Sequence, residues 1–162
     1  AKTGKPEMAK EEIDRLQALS KSAENSYWAE QIQVLVLAAS AWRASAEGRK
    51  DDALKLMRGA ADLEDSTEKH VAMENRLYPQ REQLGDMLRE YGQPAEALKA
   101  YKVSMKNAPN RLRGYYGAAK AAQDSGNAKV AADYFNRLAR LTRGADSDRA
   151  ELAELKQVLA RK

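Results

Sequence analysis

Residues 81–101, REQLGDMLREYGQPAEALKAY, decide how this chain folds. Arg81 to Glu90 is a run of strong helix formers with apolar residues at Leu84 and Leu88, the spacing of one helical face. Gly92 follows at the place where a left-handed residue ends a helix most cheaply. Pro94 then stands at the start of a second run, where its missing N–H and fixed φ cost nothing. The stretch therefore reads as helix, short turn, helix, with Ala97, Leu98 and Tyr101 on the inner face of the second helix.

The same order recurs along the chain. Gly85, Gly92, Ala97 and Tyr101 return as Ala119, Gly126, Ala131 and Phe135, each displaced by 34 residues. An earlier copy, Ala41, Gly48, Ala53 and Met57, precedes the middle one by 44 residues, so about ten extra residues follow the first unit. Three copies are about the minimum for a stacked helical core. The small residues Gly85, Ala97, Ala119 and Ala131 are expected where antiparallel helices cross closely, and Tyr101, Phe135 and Met57 in the gaps beside them. Pro109 is expected to break the chain so that Asn110 caps the next helix.

Composition agrees with a helical protein. Of the 162 residues 43% are apolar, with only 9 Gly and 4 Pro, and no alternating β-branched runs suggest a sheet. The longest apolar stretch, Val34 to Ala39 with Ala41 and Trp42 beyond it, is too short to span a bilayer. The absence of Cys removes disulfides, thiolate nucleophiles and thiolate metal sites, and leaves the compartment open. The opening AKTGKPEMAK has neither an initiator Met nor an apolar signal core, and the expectation is a segment of a larger chain.

The unit resembles the tetratricopeptide repeat, whose 34-residue pattern joins an aromatic, Leu-Gly, a hydrophobic residue, Ala-x3-aromatic and a closing Pro. The middle copy carries Leu84-Gly85, Leu88, Ala97-x3-Tyr101 and Pro109, with Arg81 in place of the opening aromatic. The last carries Tyr115, Ala118-Ala119, Ala122 and Ala131-x3-Phe135, and Thr142-Arg143-Gly144 replaces the closing Pro. The first lacks Leu-Gly and has Met57 for the aromatic. More narrowly, YWAEQIQ, SAEGRKDDALKLMRGAADLEDSTEKH and REQLGDML are similar to the C-terminal repeat region of larger bacterial tetratricopeptide proteins of unassigned activity. The fold expected from the repeat and the resemblance is an all-α, tetratricopeptide-like α-solenoid of three antiparallel helix pairs over residues 25–143, with an inserted loop near 65–77. A capping helix and linker fill 1–24, the helix near 6–21 carrying Ile13, Leu16 and Leu19. A second cap fills 144–162, its helix near 147–160 carrying Leu152, Leu155 and Leu159.

Chemistry has little to work with. Asp65, Glu68 and Glu74 surround the one His, His70, but their spacing matches no known metal cage, and no cofactor or metal is expected. Without Cys, G-x-S-x-G or a phosphate-cradling loop, the chain is not expected to be an enzyme. Between Ala97 and Gln123 six cations (Lys99, Lys102, Lys106, Arg111, Arg113, Lys120) stand without an acid. A solvated face is the plainer reading, a polyanion or nucleic-acid surface the alternative, and nucleic acid is disfavoured because no exposed aromatics interleave the cations.

The resemblance implies instead a protein or peptide partner, held on the first helix of each pair. The residues this selects are Ala38, Ala39, Trp42 and Ser45, then Glu82, Gln83, Asp86 and Arg89, then Tyr116, Gly117, Lys120 and Gln123. Trp42, Glu82, Asp86, Tyr116 and Lys120 are the expected partner contacts: an aromatic wall, an acidic patch and one cation. The Lys and Asn set with which chaperone-binding relatives clamp a terminal carboxylate is missing.

Overall fold

The computed structural model describes residues 6–67 and 77–160. Among them lie eight helices and no strand: α1 (Pro6–Ser22), α2 (Ser26–Ala46), α3 (Lys50–Ser66), α4 (Gln80–Glu90), α5 (Pro94–Asn107), α6 (Leu112–Asp124), α7 (Ala128–Leu141) and α8 (Ala150–Ala160). The expected end helices are α1 and α8. Most of the expected 65–77 loop, with Glu68, His70 and Glu74, lies outside the described residues.

Three turns of the same build join α2 to α3, α4 to α5 and α6 to α7. Each has three residues with glycine in the middle, and Gly48, Gly92 and Gly126 have φ of 79°, 71° and 75°. The residue after each glycine donates its N–H to a carbonyl five positions back: Arg49 to Ala44 at 2.9 Å, Gln93 to Leu88 at 2.8 Å and Asn127 to Ala122 at 2.8 Å. Each glycine itself bonds the carbonyl three positions back, at 3.0 Å in all three. This is the Schellman closure, which satisfies two orphan carbonyls of the ending helix and sends the chain back antiparallel. A Cβ at any of the three would meet nothing within 4 Å, so backbone conformation and not space selects glycine there.

Pro94 opens α5 as its spacing predicts. Asn110 does not cap α6. The cap position falls to Arg111, which makes no side-chain capping bond, while Asn110 takes φ of 60°, a left-handed conformation that Asn tolerates better than other residues with a Cβ.

The chain packs as two compact units that divide after Leu84, inside α4. In residues 1–84, α2 packs on both α1 and α3. Ala41, Ala44, Ala53, Ala60 and Ala61 are wholly inaccessible to solvent, and Met57 fills the space these short side chains leave. Ile13 is buried on α1, but Leu19 is exposed, so the apolar face of α1 is narrower than its spacing suggests. The first turn of α4 is fixed to α3. Glu64, itself buried, accepts the N–H of Gln80 at 2.7 Å and supplies the partner that a helix start lacks. Arg81 reaches Asp62 at 2.8 Å and Asp65 at 2.5 Å, so the residue that departs from the repeat pattern bridges two helices.

In residues 85–162, α6 packs on α5 and α7. Phe135, Leu138, Ala119, Leu152 and Leu155 form one core cluster, with Tyr115, Tyr116 and Val158 against it. Val158 takes the inner place expected of Leu159, which is exposed. The ring of Tyr101 lies between two glycines. A Cβ on Gly85 would come within 2.7 Å of its Cζ, and a Cβ on Gly117 would overlap the same ring from α6. Gly117 therefore belongs to the core and not to the surface facing a partner.

Because each glycine blocks the ring's escape from the other, Gly85→Ala and Gly117→Ala are each expected to destabilise by about 1–3 kcal/mol. Helix propensity alone favours Ala over Gly by about 1 kcal/mol. Gly59→Ala is the control: in α3 its Cβ would meet only Leu37 Cδ1 at 4.0 Å, and that variant should gain stability. Denaturant midpoints that move in the same direction for all three would refute the wedge.

Candidate functional site

The five residues expected to touch a partner are distributed over both units. In residues 1–84, Trp42 is half-buried on α2 and its indole N–H donates to Gln83 Oε1 at 2.7 Å. The Gln83 amide donates in turn to Gln80 Oε1 at 2.9 Å and to the Tyr78 carbonyl at 3.2 Å. Trp42 is thereby tied to the same polar group that starts α4. Glu82, only 1% exposed, is a buried side chain and not part of an acidic surface. Gln83 is buried as well, and so is Ala38.

Along α2, Trp28, Leu35 and Trp42 recur every seven residues and so share one stripe, with half-buried Ile32 and Ala39 between them. Trp28 is 43% exposed and Leu35 49%. Tyr27 meets Trp28 edge to face at 5.0 Å. Only Trp42 and Ala39 of this stripe were selected from the sequence. The continuation to Leu35 and Trp28 was legible in the heptad spacing, but a repeat register counted from Ala41 stopped short of it.

In residues 85–162 the remaining three residues are engaged. Asp86 accepts the Tyr101 hydroxyl and Arg113 Nη2, the latter at 2.9 Å. Arg89 donates to Asp124 from Nε at 3.0 Å and from Nη2 at 2.9 Å. Tyr116 and Lys120, one turn apart on α6, converge on a single carboxylate, Glu154 of α8: the tyrosine hydroxyl bonds Oε2, and Lys120 Nζ bonds Oε1 at 2.7 Å. Glu154 was not selected from the sequence, where it stands as one acid among the leucines of a cap.

The electrostatics follow from these pairs. The hydrogen bond from Lys120, then that from Tyr116, holds the Glu154 carboxyl below its ordinary pKa. Burial, then the bond to Glu154, pushes the Tyr116 hydroxyl up. Burial, then the charge of Asp86, pushes Tyr101 up further. Of the six cations between residues 97 and 123, Lys99 pairs with Glu96 at 2.7 Å, Arg113 with Asp86 and Lys120 with Glu154. Lys102 and Lys106 are exposed on α5.

Among the described residues no three His, Cys, Asp or Glu side chains gather as a metal site would require, and no helix is long and apolar enough to cross a membrane. His70 lies outside those residues.

No protein-family model and no curated protein matches the sequence. Among solved structures, the crystal structure of PcrH in complex with the chaperone binding region of PopB is similar in fold, with a TM-score of 0.58. The match is 19% identical and covers 76% of this chain and 92% of that one. The chain has an all-α, tetratricopeptide-like helical-repeat fold. At that identity the likeness extends to the fold alone.

The shifted groups make stability depend on pH at both ends. Tyr101 has a raised folded pKa, so its contribution is complete below the unfolded value of about 10 and is lost as pH rises beyond it. Tyr101→Phe should flatten the alkaline fall of stability by up to about 1.4 kcal/mol per pH unit. Glu154 has a lowered folded pKa, so its contribution is present above the ordinary carboxylate range and is lost as pH falls through the folded value. Glu154→Gln should remove part of the acid-side slope. Urea midpoints across pH check both, and slopes indifferent to these substitutions would refute the assigned bonds.

Proposed function

We propose that this chain is a non-catalytic scaffold that docks a segment of another protein, and that it is the repeat region of a larger bacterial protein. The observation that carries this reading is the stripe of Trp28, Leu35 and Trp42 on α2. A helix that keeps a Trp and a Leu more than two-fifths exposed on one line leaves apolar area uncovered, which marks an interaction surface. The fold supports the same reading, since PcrH was solved with a segment of PopB bound.

The two units offer different contacts. In residues 1–84 the anchor wall is Trp42 with Leu35 and Trp28, and buried Glu82 serves by packing at the start of α4 and not by direct contact. In residues 85–162 the polar contacts are Asp86, Tyr116 and Lys120, which a partner reaches by competing with Arg113 and Glu154. Trp42 suits this role because its indole N–H is already satisfied by Gln83, so only the ring face needs covering. The alternative, a polyanion surface on residues 97–123, has its charge reduced by the three carboxylate pairs described above.

An array of short peptides probed with the whole chain at physiological salt tests this. Binders are expected to share an aromatic or aliphatic anchor, and Leu35→Asp should weaken them at least about tenfold. Stability should change by under about 0.5 kcal/mol, because the position is exposed. Peptides bound equally well by the Leu35→Asp chain would move the site off α2. Binding of single-stranded DNA with steep salt dependence, and of no peptide, would replace this reading by the polyanion one.

A further inference from the structure

The face of α6 and α7 that α8 covers has the chemistry of a receptor. Its floor is Ala119, Phe135 and Leu138, and onto it α8 lowers Leu152 and Leu155, which are 5% and 4% exposed, with Val158 beyond them. Beside this floor stand the two donors Tyr116 and Lys120, at i and i+4 on α6, both aimed at one carboxylate between the two leucines. The covering helix thus displays the pattern Leu152-x-Glu154-Leu155-x-x-Val158, read by an apolar floor and a donor pair.

Little holds α8 besides that reading. It has 11 residues, too few for a helix to persist alone in water. Residues 145–149, which lead into it, adopt no regular structure. Its other side, Ala153, Lys156, Gln157 and Leu159, is exposed. A cleft of about 440 Å³ runs along its edge, lined by Gln123, Ala150, Ala153, Glu154, Gln157 and Val158, so solvent already reaches the carboxylate side of the contact.

We propose that this face is a docking site for an amphipathic helix of a partner protein with an acidic residue between two leucines, and that α8 is the chain's own displaceable occupant of it. The inference rests on the scaffold reading and gives it a partner class: a helix whose carboxylate takes the place of Glu154 on Tyr116 and Lys120. Displacement exchanges like for like, since the leucines and the carboxylate of the incoming helix re-form what α8 gives up. Affinity is then set by the competition and not by the contacts alone.

The probe is a fluorescein-labelled peptide of residues 147–160 of this chain, titrated into the full chain. Wild type should bind it weakly, because its own α8 holds the site. Glu154→Lys, which turns the internal bond into a repulsion, should bind it at least about tenfold more tightly. Hydrogen exchange of the amides of α8 should quicken by a similar factor. A probe carrying Gln in place of its central Glu should lose the gain. The double variant Lys120→Glu with Glu154→Lys re-forms the internal pair with reversed charge, and should return both to weak probe binding and to slow exchange. Should the lysine variant fail to fold, Glu154→Gln removes the charge at constant shape and is expected to move both readouts in the same direction. A folded Glu154→Lys or Glu154→Gln chain that binds the probe no better than wild type, with α8 exchanging as slowly as α6, would overturn the proposal. Because the probe is the chain's own helix, that failure is separate from a failure of the peptide array, which concerns the stripe on α2.

Discussion

The ring of Tyr101 fills a space that two glycines leave open, and the packing of α5 and α6 with residues 85–90 is arranged around it. A tyrosine buried to 1% exposure removes a large apolar surface from water, but it also carries a hydroxyl that must find a partner. Gly85 on one side and Gly117 on the other let the backbones of α4 and α6 come close enough to sandwich the ring. Asp86, one residue beyond Gly85, accepts the hydroxyl, and Arg113 balances the charge of Asp86. Each piece depends on the others. Without the glycines the ring does not enter, and without Asp86 the hydroxyl loses its acceptor. Without Arg113 the carboxylate loses its neighbouring counter-charge. The middle copy therefore asks for more than a shape, because Tyr101, unlike Met57 and Phe135 at the same place in the other copies, brings a buried polar atom that must be paired.

How far this was legible in the sequence depends on whether a feature is local. The turns at Gly48, Gly92 and Gly126 were legible because a left-handed residue after a helix is a property of a few neighbouring bonds, and glycine is the cheapest solution. Ala97, Ala119 and Ala131 were legible as buried crossing residues because a close approach admits only short side chains. Gly117 was misread because it stands beside Tyr116 and on the same helix as Lys120, and nothing in its neighbours tells which face receives a ring from 16 positions earlier. Asn110 was misread for a related reason. The same small polar side chain that makes Asn a good cap lets it adopt the left-handed conformation, and the chain used the second property.

The polar residues were the least legible. Asp86, Tyr116 and Lys120 were correctly placed on the first helices of their pairs, yet their partners come from Arg113 and Glu154, the latter 38 positions from Tyr116. A charged side chain on a helix looks the same in sequence whether it faces solvent, a ligand or another element of its own chain. Glu82 and Arg81 show the ambiguity in adjacent positions: the first is buried, and the second replaces an expected aromatic with a cation that two aspartates of α3 receive. Packing decides between these outcomes, and packing is not written in spacing alone.

An interaction surface whose polar groups are already paired selects partners differently from one that presents bare charges. Replacing an internal hydrogen bond with an external one of the same kind gains little, about 0.5–1.5 kcal/mol for a typical bond before the loss of the old one is counted. In the docking proposed for the face under α8, the net affinity comes from apolar area, the floor of Ala119, Phe135 and Leu138. In that proposal the polar pairs act as a filter: a segment that reaches Lys120 without a carboxylate leaves a half-buried cation without the partner it has in Glu154. The proposed docking separates two tasks, with apolar area for binding and occupied polar pairs for discrimination, so that a segment is accepted only where its charge pattern repeats that of α8.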